Sequence, residues 1–361
     1  MQAKYISIFL SALLVSGCQS TFGPAALNNT HIPYNQAISE TLNQQMLLNL
    51  VRLKYRDGAY YLGVGSVTAS LDFGVNAGIG SNVNMGPGGN VMTSNLGMSY
   101  NDSPTISFQP LQGEAFSKSV LTQLPIGTLV VLGTTGWNID DILGLCVDEM
   151  NGIENAAKAS GVTPKFAPKY QEFERVQFLF RELQMERALR IGASSKEKGV
   201  LMKFTETPQN KATLSELMTL LGLPTSTRLV KLGNSDFLDL EKDNDTITIY
   251  TKSIANILSY LAQNVQVPQE HIEKGLVTVT KTADGNTFNW AETPAGKLLT
   301  VKSSKNRPDN AFLTVAYKDY WYYIADDDLK SKSTFMLLNQ LFNYQSGHSS
   351  SQGPVLTIPV K

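Results

Sequence analysis

Apolar and polar residues alternate along one long stretch of the chain. The odd positions from Val67 to Met85 read Val67, Ala69, Leu71, Phe73, Val75, Ala77, Ile79, Ser81, Val83 and Met85, while the even ones are Thr, Ser, Asp, Gly and Asn. A period of two marks a strand with one apolar and one polar face. Beyond Gly86-Pro87-Gly88-Gly89-Asn90 the parity reverses, and the even positions Met92, Leu96, Met98, Tyr100, Ile106 and Phe108 are now the apolar ones. The pattern predicts one long amphipathic β-hairpin over about residues 64–109. Cross-strand partners share a face, so paired numbers must sum to an odd value. A sum of 175 fits best: Val83 then opposes Met92, Ile79 opposes Leu96, Val75 opposes Tyr100, Val67 opposes Phe108, and Ser81 meets Ser94.

Elsewhere the periodicity is mixed. Tyr34–Asp57 reads as a helix, with Ile38, Leu42, Met46, Leu50 and Leu53 at helical spacings and Asp57-Gly58 as its stop. Further helices are predicted at 112–123, from Asn138 or Asp140 through Met150, at 169–191, 211–221, 253–264 and 329–344. Strands are predicted at 126–133, 200–204, 246–251, 276–280, 297–302, 311–317, 320–324 and 355–358. There is no regular βαβ alternation and no repeat, so the expected class is α+β, helices on small sheets, with the hairpin free to join an oligomeric β-barrel. The expected divisions are a signal peptide 1–17, a polar tether 18–33, a helix plus hairpin 34–125, an α+β domain 126–267 and a small β-rich domain with a C-terminal helix 268–361.

Charge changes the meaning of the hairpin. Between Asp72 and Asp102 there is no charged residue. Hairpins in water generally place Lys and Glu on the wet face and the edges, which keeps them from pairing with other chains. A transmembrane strand needs only about nine to eleven tilted residues, apolar toward lipid and polar toward a lumen. On that reading Leu71, Phe73, Val75, Ile79, Val83, Leu96, Met98 and Tyr100 face lipid, and Asn76, Gly78, Gly80, Asn82, Asn95, Gly97 and Ser99 line a lumen. One hairpin leaves two unpaired edges, which hydrocarbon does not tolerate, so spanning implies a ring of copies. The same pattern also fits a soluble arm lying on a partner, or one half of an ordinary sandwich.

The start of the chain bears on the same question. Lys4 precedes a short apolar core from Tyr5 to Val15, and Val15-Ser16-Gly17-Cys18 closes it. The run is too short for a membrane helix and resembles a bacterial lipoprotein signal with its lipobox. The resemblance implies acylation at Cys18, cleavage before it, and a bilayer as partner. Gln19 in the next position implies the outer membrane by similarity to the enteric sorting rule. The segments Gln45–Asp57 and Tyr317–Leu329, with Ser331–Phe335, resemble an uncharacterised set of proteobacterial outer-membrane lipoproteins, which implies export and lipidation but no activity.

Composition narrows the partners. The net charge of −1 and the absence of basic runs speak against nucleic acid and anionic headgroups. With Cys18 acylated, Cys146 has no partner and reads as a buried small hydrophobe. The histidines His31, His271 and His348 make no metal-binding spacing, no Gly-x-Ser-x-Gly elbow occurs, and Gly78-Ile79-Gly80-Ser81 sits in a strand pattern with no helix after it. Asp326-Asp327-Asp328 reads as the cap of the following helix rather than a cation loop, and Tyr320–Tyr323 as a buried strand rather than a sugar platform. No cofactor, metal or catalytic residue is expected. The expected function is an outer-membrane lipoprotein that forms a ring-shaped pore or secretion-type channel, similar in architecture alone to the lipoprotein channel of curli secretion. The alternative is a non-spanning envelope lipoprotein whose hairpin docks on a partner in an envelope or secretion complex. An envelope enzyme is the third reading.

Overall fold

A computed structural model describes residues 22–82, 91–156, 167–194, 199–234 and 244–347. In chain order the elements are α1 (Phe22–Lys54), β1 (Leu62–Asn82), β2 (Val91–Pro110), α2 (Glu114–Leu121), α3 (Ile126–Thr134), α4 (Ile139–Cys146), β3 (Val147–Met150) and β4 (Ile153–Glu154). There follow α5 (Gln171–Met185), β5 (Leu189–Ser194), β6 (Gly199–Phe204), α6 (Lys211–Leu220), β7 (Leu229–Asn234), β8 (Thr246–Thr251), α7 (Ile254–Ala262) and α8 (Gln269–Glu273). The last are α9 (Pro294–Leu298), β9 (Lys302–Ser304), β10 (Ala311–Tyr317), β11 (Tyr320–Ala325) and α10 (Leu329–Gly347). The class is α+β, and among the described residues no closed barrel forms within one chain. The chain divides into two compact units, one built on Tyr60–Phe116 and the other on the described residues up to Ala59 and from Ser117 onward.

The larger unit is organised on a six-stranded sheet of order β4-β3-β8-β7-β6-β5, in which only β7 and β8 run parallel. Buried and more exposed residues alternate along β7 and β8 and from Leu201 to Phe204 on β6. Ile247, Ile249, Val230, Met202 and Phe204 are buried; α3 packs on β5, β6 and β7, α4 on β3, and α5 on β4 and β5. The buried stripe of α5, Phe173, Val176, Phe180 and Leu183, falls at the spacing expected of a helix that buries one side. A second sheet of order β10-β11-β9 is antiparallel, and α1 packs on β10 and α7. Leu47, Leu50 and Val51 on α1 are fully buried.

Several expectations hold at the level of single residues. β8 spans Thr246–Thr251, the Ser253 side chain caps α7 by accepting from the Asn256 N–H, and Asp328 caps α10 by accepting from the Ser331 N–H at 3.0 Å. Others are corrected. Helix α1 already begins at Phe22, inside the segment expected to be an irregular tether. Pro24 falls in its first turn, where no backbone N–H is needed, and Ala25-Ala26-Leu27 are good helix formers. The apolar run Ile126–Gly133 is the helix α3, not a strand. Its buried residues Ile126, Leu129 and Leu132 recur every third position, and Val131 between them is 60% exposed. A run of eight apolar residues has no period by which to choose.

The predicted helix through Met150 stops at Cys146, and the chain passes straight into β3. The one predicted to reach Ile191 stops at Met185. Arg187 there takes a positive φ of 57° and turns the chain, so Leu189 and Ile191 join β5. Residues 276–280 join no ladder, and 297–302 divide between α9, an isolated bridge at Val301 and the first residue of β9. Thr293 caps α9, and Gly296 is required there because a Cβ would stand 2.0 Å from the Trp290 carbonyl oxygen. The predicted strand at Val355–Ile358 lies outside the described residues. No helix among the described residues is long and apolar enough to cross a membrane.

Candidate functional site

The hairpin dominates the smaller unit. β1 has 21 residues and β2 has 20, far beyond the usual strand of about five or six. At about 3.3 Å per residue the ribbon is roughly 70 Å long. β1 and β2 pair only with each other, so among the described residues both outer edges of the ribbon lack a strand.

The ladder register corrects the expected one. From Ser66 to Asn82 the paired numbers sum to 173: Val67 opposes Ile106, Phe73 opposes Tyr100, Val75 opposes Met98, Ala77 opposes Leu96, and Ile79 opposes Ser94. The expected sum of 175 is two residues away. The parity argument survives, because a slip of two keeps every residue on its face. The pairing of Ser81 with Ser94, which favoured 175, does not occur; Ser81 opposes Met92, and Phe73 opposes Tyr100. Below Ser66 a bulge at Gly65 shifts the ladder again, to Val64 opposite Phe108. Gly65 suits that place, because a Cβ there would press on the Gln109 side chain at 3.0 Å.

The register places nearly all the predicted site residues. Leu71, Phe73, Val75 and Ile79 share one face with Leu96, Met98 and Tyr100. Asn76, Gly78, Gly80 and Asn82 share the other with Asn95, Gly97 and Ser99, in the pairs Asn76–Gly97 and Gly78–Asn95. Val83 and Cys18 lie outside the described residues. The charge-free part of the ladder runs from Phe73–Tyr100 to Asn82–Val91, ten residues on each strand. That is roughly 33 Å of strand, or about 25 Å of height at a tilt near 40°, the apolar band of a membrane barrel.

At the base, Tyr61 is buried with its ring 5.8 Å from that of Phe116, and the Leu111 N–H donates to the Tyr61 carbonyl at 2.9 Å. Tyr60 is 50% exposed.

The larger unit holds two polar groupings that no sequence motif announces. Tyr55, at the end of α1, sets its hydroxyl 2.6 Å from His271 Nδ1 and in hydrogen-bond contact with the Tyr322 hydroxyl. All three residues are buried. Burial lowers the His271 pKa, with Glu270 opposing, so the ring is neutral near pH 7 and shares one hydrogen bond between its Nδ1 and the Tyr55 hydroxyl. Tyr320 donates to Glu270 at 2.6 Å; of the tyrosine run, Tyr322 is fully buried and Tyr320 only half-buried. The second grouping is Lys252, wholly buried, which donates to the Val147 carbonyl at 2.6 Å and reaches Asp148 at 2.9 Å. The partners lie 50 to 267 positions apart in the chain, so spacing could not reveal them. Cys146 is buried, and burial pushes its thiol up to about 12.

A cleft of about 220 Å³ is walled by Asp140, Asp141, Gln177, Arg181, Lys297 and Lys330, but its charges pair off as Lys330–Asp141, Lys297–Glu174 and Arg181–Asp140. Among the described residues no three His, Cys, Asp or Glu side chains come together as metal ligands. No family model, curated protein or solved structure matches the chain.

Proposed function

We propose that this protein is an outer-membrane lipoprotein, anchored through acylated Cys18, in which several copies each contribute residues of about 66–109 as one hairpin to a shared β-barrel pore or secretion-type channel. The observation behind this reading is the ladder from Phe73–Tyr100 to Asn82–Val91, free of charge, apolar on one face and small-polar on the other, in a ribbon whose two edges both lack a strand among the described residues. Those edges are what a ring satisfies: β2 of one copy pairs with β1 of the next, and closure leaves no backbone group unpaired in hydrocarbon.

The test is electron microscopy of detergent-purified particles with conductance in planar bilayers. Rings with a central barrel and discrete conductance steps are expected. Monomers that conduct nothing would overturn the pore. The same free edges also fit β-augmentation, in which a partner's extended segment adds to the ribbon. That second reading expects a monomer that co-purifies with an envelope partner and loses it when the hairpin is removed.

A further inference from the structure

The face of the six-stranded sheet turned away from α3, α4 and α5 carries exposed cations toward one edge and two half-buried carboxylates at the other. At one end Arg190 on β5 stands directly opposite Lys203 on β6, and Lys231 on β7 lies on the same face, opposite Leu201. All three cations are exposed. At the other end Glu149 on β3 stands directly opposite Glu154 on β4. The pairs Glu149–Tyr250, Gly233–Thr248 and Lys231–Thr246 place both ends on one continuous face. Like charges set directly opposite each other destabilise a sheet, and here the cost is incurred twice. Burial, then Glu154 and Asp148, hold the Glu149 carboxyl above its usual range. None of these five side chains makes an ion pair with another described residue. Nor do the two ends relieve each other. The nearest opposite charges, Glu149 on β3 and Lys231 on β7, are two strand spacings apart and four residues apart along β8, roughly 16 Å, and the outermost strands are roughly 24 Å apart, both beyond the screening length of about 8 Å at physiological salt.

We infer that the acidic edge of one copy, Glu149 and Glu154, docks on the basic edge of the next, Arg190, Lys203 and Lys231, joining copies of this chain head to tail. Each contact sets two carboxylates against three cations and relieves both like-charge pairs. Because the two surfaces differ and sit at opposite edges of one sheet, the contact is heterologous and repeats from copy to copy, closing into a ring when the rotation allows. The inference names the subunit surface that the proposed ring needs, and rests on that reading only for closure.

Sedimentation equilibrium of the full-length protein in detergent tests it. The wild type is expected to self-associate, less so at high salt. Glu149→Lys with Glu154→Lys makes both edges basic, and Arg190→Glu with Lys203→Glu makes both acidic. Each double variant alone should associate about tenfold or more weakly, and an equimolar mixture of the two should regain association, a rescue that misfolded protein cannot give. A monomeric wild type, double variants that associate like the wild type, or a mixture no better than either variant would overturn the inference. So would capture of the wild type by anionic vesicles that is lost in Arg190→Glu with Lys203→Glu while self-association is unchanged. Conductance of the same samples separates the two readings. Charge-dependent assembly without conductance removes the barrel and leaves this contact, and conductance indifferent to both double variants removes this contact and leaves the barrel.

Discussion

Phe73 stands directly opposite Tyr100 in the hairpin ladder. The pair is the last on the apolar face before the ribbon meets charge, because the next two rungs join Asp72 to Asn101 and Leu71 to Asp102. In the register that a Ser81–Ser94 pairing would impose, Phe73 would instead oppose Asp102, and an aromatic ring would face a carboxylate on the apolar side. The observed register therefore draws a boundary. Toward the tip, the described ribbon is neutral on both faces; at Asp72 and Asp102 each face gains one acid.

Ile79 and Gly78 are neighbours on opposite faces of that neutral part. In the proposed barrel a lysine at position 79 enters hydrocarbon, at about 2–4 kcal/mol for each copy near the midplane, while one at 78 enters water. Ile79→Lys is expected to abolish conductance, and Gly78→Lys to keep the pore while shifting its preference toward anions. Single-channel recordings decide the matter, and equal effects of the two substitutions would count against the barrel.

Asp72 shares its face with Asn76, two rungs from it on the same side. A ring of copies then sets a ring of carboxylates at the mouth of an otherwise uncharged lumen, the arrangement that favours cations in known pores. Reversal potentials under a salt gradient should show cation preference in the wild type and little in Asp72→Asn. Asp102→Asn, on the opposite face, should leave the reversal potential where it was.

The hairpin was legible because a two-residue period survives any even slip, so the faces could be read while the register could not. Face parity does not distinguish 173 from 175, nor does it place the bulge at Gly65. Within the larger unit, β8 and α7 were readable from Thr246-Ile247-Thr248-Ile249 and from the Ser253 cap, local signals that tertiary packing did not override. The run at Ile126–Gly133 was not, since a short apolar stretch fits a buried strand or a buried helix equally. Lys252 was unreadable for a different reason: a lysine in sequence looks like surface, and only its partners Val147 and Asp148 reveal that the chain has closed over it.

Lys54, in the last turn of α1, donates to the Gln263 carbonyl at 2.8 Å, and burial lowers its pKa to about 8 from the usual 10.5. Between those two values the unfolded chain binds a proton at this site that the folded chain does not, so this residue's contribution to stability rises with pH across that window and is flat below it. Lys54→Met removes the term. Urea unfolding at a series of pH values should show the wild type gaining on the variant between about pH 8 and 10.5, by on the order of 1–2 kcal/mol given partial exposure of the site. A constant difference across the window would show that the folded-state pKa is not depressed.

Lys252 ties β8 to the start of β3 through the Val147 carbonyl and Asp148, with its ammonium 4.9 Å from the centre of the Tyr260 ring. Removing one partner of a buried pair usually costs several kcal/mol because a charge is left behind, but Asp148 retains 25% of its side-chain exposure and can take up water instead. What cannot be rehydrated is the space around the stem and the Val147 carbonyl. Lys252→Ala empties that space and should cost about 2–4 kcal/mol. Lys252→Met fills it with a side chain of similar length, removes a cation that burial already disfavours, and should cost about 1 kcal/mol or less. The ordering matters more than either value. Denaturant midpoints with methionine close to wild type would assign the joint to packing of the stem, whereas methionine as damaging as alanine would assign it to the ammonium's bonds.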